Sequence, residues 1–186
     1  MRAVGMTWRG WLSYVVLLFV TAVVQVGVLD GIVVGGAHPD AFLLLAVAAG
    51  LVAGAQQGAI LAFVAGLVAD LFVVTPYGLS ALCLVLVSFG VGLAAGTPGA
   101  RSSVGFRVAT ALIASVGGTL LYAAVETLIG QPHPRLGHIV AVCLVVAIAN
   151  GIGIVPVVRL LARVVSAGSV AQRGPASLSG GSAAVR

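Results

Sequence analysis

Residues 39–80 constrain this chain more than any other stretch. Two apolar runs, 41–55 and 58–74, meet at Gln56-Gln57, and the second holds a lone carboxylate, Asp70. Small residues recur at every fourth position, Gly54, Gly58, Ala62 and Gly66, and the next step of that series is Asp70. On a helix, positions four apart share a side, so the series forms a ridge that another backbone can approach closely. An unpaired carboxylate in hydrocarbon costs several kcal/mol, so Asp70 must face protein or water rather than lipid. The stretch reads as a membrane hairpin with one guarded polar group.

Composition removes the soluble alternatives. The 186 residues are 61% hydrophobic and 7% charged, with a mean hydropathy of +1.23. A soluble domain carries about 25% charged residues. The nine arginines, unaccompanied by lysine, sit mostly at the ends of apolar runs, where they mark topology and meet lipid headgroups. No nucleic-acid partner is expected. Cys83 and Cys143 lie inside apolar runs and read as reduced packing residues. Without CxxC or HxxxH spacing, no metal and no cofactor is predicted. The first apolar run is 19 residues, 11–29, longer than the roughly 7–15 of a signal peptide's core, so it is expected to remain as an anchor.

In chain order, the sequence predicts an all-α integral membrane protein of six transmembrane helices: 11–29, 41–55, 58–74, 79–95, 108–129 and 139–161. Residues 1–10 form a cytoplasmic lead-in, 11–163 the membrane domain, and the Ser/Gly-rich stretch 164–186 a disordered cytoplasmic tail. Thr75-Pro76-Tyr77-Gly78 is a tight turn, and Pro156 suits a local bend. Eight arginines fall on the terminal and even-loop side, and only Arg135 on the other. That bias puts both termini in the cytoplasm. The same topology places Gln25, Asp70 and Glu126 in the outer third of their spans, below Asp30, Asp40, His133, Arg135 and His138 in the outer loops. Asn150 alone sits mid-span.

No catalytic residues are predicted. The paired span aspartates, Gly-x-Ser-x-Gly and HExxH patterns of intramembrane proteases are missing, as is a glycine-rich phosphate loop.

The order of these features resembles the rod shape-determining protein MreD family of bacterial cell elongation. Gln25 comes late in the first span, and Pro39-Asp40 opens a Leu-rich second span. Gly58, Gly66-Leu67 and Asp70 mark the third, Pro76-Tyr77-Gly78-Leu79 leads into the fourth, and Asn150, Pro156, Arg159 and Arg163 close the sixth. The likeness covers roughly residues 12–163. It departs at Gln56-Gln57, which lacks a basic residue often found there, and in the additional tail. The resemblance implies a non-enzymatic inner-membrane subunit working beside an MreC-like protein, the MreB filament system and the peptidoglycan glycosyltransferase and transpeptidase. It also implies a bundle similar to the substrate-binding subunits of energy-coupling-factor transporters, which supplies an alternative: a small-molecule-binding subunit of such a transporter. On the first reading the ridge of Gly58, Ala62 and Gly66 packs against a partner's helix. Asp70, Gln25, Glu126 and Asn150 are then partner-binding or structural polar groups, and Asp70→Asn is expected to be milder than Gly66→Leu.

Overall fold

The computed structural model describes residues 8–29, 31, 33, 37–72, 78–96, 103–130 and 136–170, the side chains of residues 9, 136 and 167–170 excepted. Arg2, Asp30, the Thr75-Pro76-Tyr77 turn, Arg101, His133, Arg135 and the tail arginines Arg173 and Arg186 lie outside the described residues.

The long apolar runs fold as helices, which satisfy their backbone groups internally where no water is present. Among the described residues there is no β-strand. Helix α1 (Trp8–Val24) passes into one π-helical stretch, Gln25–Leu29. It is followed by α2 (Ala41–Ala69), α3 (Leu79–Ala94), α4 (Val104–Leu128) and α5 (Leu136–Val170). Four helical stretches, Gly10–Leu29, Ala41–Ala69, Val104–Leu128 and Gly137–Ser166, are long and apolar enough to cross a membrane. The shorter α3 is also apolar.

Length alone misleads for α2, because it is not one rod. Gly54 sits at φ 80° and ψ −177°, a conformation essentially restricted to glycine, and there the chain doubles back. A side-chain carbon on Gly58 would lie 2.9 Å from the Gly50 Cα, whereas eight residues of straight helix rise about 12 Å. The hairpin expected from the sequence is present. Its hinge is Gly54, taken above as a ridge position, and Gln56-Gln57 lies in the first turn of the returning half.

The outgoing half of α2 forms the axis of the protein. Every residue from Phe42 to Leu51 is buried. Around it the returning half, α3, α4, α5 and α1 form a ring, each packing on the next: α3 on α2 and α4, α5 on α4 and α1, α1 on α2. Tyr14 closes the ring, fully buried, its hydroxyl donating to the Leu61 carbonyl at 2.6 Å. Ring helices expose large apolar side chains at helical spacing: Ile60, Phe63 and Leu67; Leu82, Leu86, Phe89 and Leu93; Val140, Leu144, Ile148 and Ile152. Apolar residues thus fill both the centre and the outer face, the distribution of a protein solvated by lipid.

Helix α5 holds Pro156 within its length and runs past its expected end. It runs as one helix through Pro156, which membrane helices accommodate by local adjustment. It also continues to Val170, beyond the expected boundary of the membrane domain at 163. Val164 and Val165 pack against the core and carry the helix onward.

Candidate functional site

Most of the predicted polar residues converge on one end of the bundle, where two helices begin. The first N–H groups of any helix lack partners within it. At the start of α2 they are met twice over. Asp40 is the N-cap, with its carboxylate accepting from the Leu43 N–H at 2.9 Å. Gln25, turned by the π-helical stretch, accepts from the Ala41 N–H at 2.8 Å and donates to the Pro39 carbonyl at 3.1 Å. One amide thereby staples the end of α1 to the start of α2.

At the start of α3 the N-cap is Gly78, whose φ of 98° calls for glycine and which has no side chain to offer. Asp70 acts in its place from the end of α2. Its two carboxylate oxygens accept from the Gly78 N–H at 2.8 Å and the Ser80 N–H at 3.0 Å. Only 1% of Asp70 is exposed. The carboxylate is guarded as the sequence required, and what guards it is the backbone of α3 with its positive helix end.

Midway down, Asn150 of α5 donates to the Ser115 hydroxyl of α4 at 2.9 Å, both side chains buried. A hydrogen bond between apolar helices fixes their register where dispersion alone would let them slide.

The ridge points inward. A Cβ on Gly66 would fall on the Ala81 backbone, 2.6 Å from its nitrogen, and one on Gly58 would fall against Ala49 and Gly50. Ala62 is fully buried. Gly58, Ala62 and Gly66, expected to receive a partner's helix, are occupied by the protein's own α3 and the outgoing half of α2. Asp70 is likewise closed to an outside partner. Two glycines not assigned a role above complete the seam: Gly92, whose Cβ would meet the Gly54 carbonyl carbon at 2.6 Å, and Gly50, whose Cβ would meet Val91 Cβ at 3.0 Å. For Gly92 the sequence signal was a second four-residue series, Ser88, Gly92 and Gly96, and for Gly50 its place four residues before Gly54. Tyr14 carried no signal, because its acceptor is a backbone carbonyl 47 residues away.

Glu126 is placed differently. It lines a cleft of about 500 Å³ that opens at the same end, above the start of α2, with Gln25, Asp40, His38 and His138 also on its wall. Phe42, Leu43, Leu84 and Val146 make the cleft largely apolar below. Among the described residues no three His, Cys, Asp or Glu side chains converge to hold a metal ion. The described arginines Arg107, Arg159 and Arg163 belong to the opposite end, at the start of α4 and late in α5.

No protein-family model, curated protein or solved structure matches the chain.

Proposed function

We propose that the chain is a non-catalytic membrane subunit of the bacterial cell-elongation machinery, of the MreD type. The observation that carries this reading is where the resemblance residues fall. Gln25, Pro39 and Asp40 interlock at the start of α2, and Gly66, Asp70 and Gly78 at the start of α3. Residues merely common in membrane proteins have no reason to pair off at two helix starts on one end. In the proposed topology all six rods cross the inner membrane, with the hinge and the arginine-bearing end cytoplasmic and the cleft outside. The two halves of α2 are only about 20 Å each, short of a hydrocarbon core of about 30 Å. The surrounding ring and local thinning of the bilayer accommodate the difference. An MreC-like partner then docks on the outer apolar faces of the ring, since the ridge is already filled.

Rescue of rod shape is the test. In cells lacking their own MreD, expression of this chain together with its neighbouring MreC-like protein is expected to restore rods, and the two proteins are expected to co-purify. Round cells despite normal membrane abundance, with no retained partner, would sink the reading.

Orientation has its own measurement. Cysteines introduced at His38 and Gly137, both exposed, are expected to react with an impermeant thiol reagent on intact cells. A cysteine replacing Ser166, exposed at the other end, is expected to react only after lysis. The reverse labelling pattern would invert the topology.

The second reading, a small-molecule-binding subunit of an energy-coupling-factor-type transporter, is favoured by one observation, the cleft. Native mass spectrometry showing a stoichiometric metabolite would move weight to it.

A further inference from the structure

The cleft's volume of about 500 Å³ is that of a small-molecule site, and its wall is graded. Glu126, Tyr122 and Thr119 follow one face of α4 at spacings of four and three. The wall therefore descends about 10 Å from carboxylate to floor. Apolar side chains, among them Phe42, Leu43 and Val146, line the rest. We infer that the cleft binds a small organic cation, an apolar body with one ammonium group that pairs with Glu126.

Charge selects the cation. Among the described residues no arginine or lysine lines the cleft; its basic groups are His38 and His138, and neither forms an ion pair with Glu126. The starts of α2 and α3 face this end and alone would favour an anion. Their N–H groups, however, already bond to the carboxylates of Asp40 and Asp70. Glu126 is what remains: a half-buried carboxylate that forms no hydrogen bond or ion pair with a described residue. An ammonium placed there gains a charge-assisted bond, and the Tyr122 ring, one turn deeper, offers an aromatic surface to the same cation. The apolar body fits beneath, about one aromatic ring and a short linker in depth.

The inference deepens the binding-subunit reading and rests on the cleft being a ligand site at all; it does not require the role in cell elongation. Equilibrium dialysis of the full chain in lipid nanodiscs tests it, with empty nanodiscs subtracting partition into lipid. The probes are phenethylamine, the neutral phenethyl alcohol and the anionic 3-phenylpropionate. Saturable binding of the amine alone is expected, weakened about tenfold or more by Glu126→Gln, partly restored by Glu126→Asp, and abolished by Ala123→Trp, which fills the cleft. Unchanged melting of each variant guards against misfolding. If amine and alcohol bind alike and both are lost only in Ala123→Trp, the cleft is a site but not for cations, and this inference fails while the binding-subunit reading stands. Binding of the anion in preference overturns the cation assignment. Binding of no probe, or binding insensitive to both variants, overturns both.

Discussion

Gly66→Ala is expected to destabilise the protein by about 3 kcal/mol, the upper part of the range for overpacking a core. The substitution adds one methyl group, and elsewhere on a helix it is mildly favourable because alanine has the better propensity. At Gly66 the new carbon would land 2.6 Å from the Ala81 nitrogen and 3.0 Å from its Cβ. Those atoms belong to α3 itself and have no rotamer through which to yield. The returning half of α2 and α3 must separate by about 1 Å, a gap that forfeits a quarter to a half of each dispersion contact along the seam. Gly90→Ala is the matched control. It lies on the same α3, exposed, with nothing within 4 Å of the added carbon. Thermal unfolding of the purified chain is expected to fall by about 6–12 °C for Gly66→Ala and to be unchanged or slightly raised for Gly90→Ala. Equal midpoints for the two would show that the seam is looser than its geometry implies. Gly66→Leu is expected to prevent accumulation in the membrane altogether.

The ridge shows how far a sequence of this kind can be read. Glycine at helical spacing is a direct steric signal, so a close-approach surface along Gly58, Ala62 and Gly66 was legible. What approaches was not, because Ala81 and the other contact residues of α3 are ordinary in an apolar helix. Glycine also carries two meanings. At Gly66 it makes room for a backbone, and at Gly54 it supplies a left-handed φ. A regular four-residue series concealed the second meaning, which displaced the hinge to Gln56-Gln57. For Asp70 the need for protection was legible from the cost of a bare carboxylate, but the protecting groups are backbone N–H donors, which have no letter in the sequence. Gln25 and Asp40 were hidden in the same way. Depth along the spans put Gln25, Asp70 and Glu126 at one level with His138 in the loop above, and of these Gln25, Glu126 and His138 line the cleft. Depth cannot distinguish the amide bound to a helix start from the carboxylate left over.

Asp70→Asn is expected to cost about 2–4 kcal/mol, more than the sequence suggests for a change that keeps the side chain's size. Aspartate presents two oxygens to two donors, the N–H groups of Gly78 and Ser80 at 2.8 and 3.0 Å. Asparagine has one oxygen, so its amide nitrogen must face one of those donors. That N–H is then buried without an acceptor, at about 1–3 kcal/mol. The charge at the positive end of α3 is lost as well, at about 0.3–2 kcal/mol. Water can compensate only at the half-buried Gly78 N–H, since Asp70 is 1% and Ser80 7% exposed. Asp70→Ala orphans both donors and is expected to be worse. The damage should be local before it is global: the first turn of α3, held by the Leu82 N–H to Gly78 carbonyl bond at 2.9 Å, loses its anchor. Amide exchange over residues 79–84 is expected to accelerate in Asp70→Asn, while the α4–α5 pair around Asn150 and Ser115 keeps its protection. The same turn carries Ala81, the residue against Gly66. The double variant Gly66→Ala/Asp70→Asn should therefore lose less than the sum of its parts, because either change alone already releases the start of α3. Full additivity, or wild-type melting of Asp70→Asn, would mean that the carboxylate does not hold that helix in place.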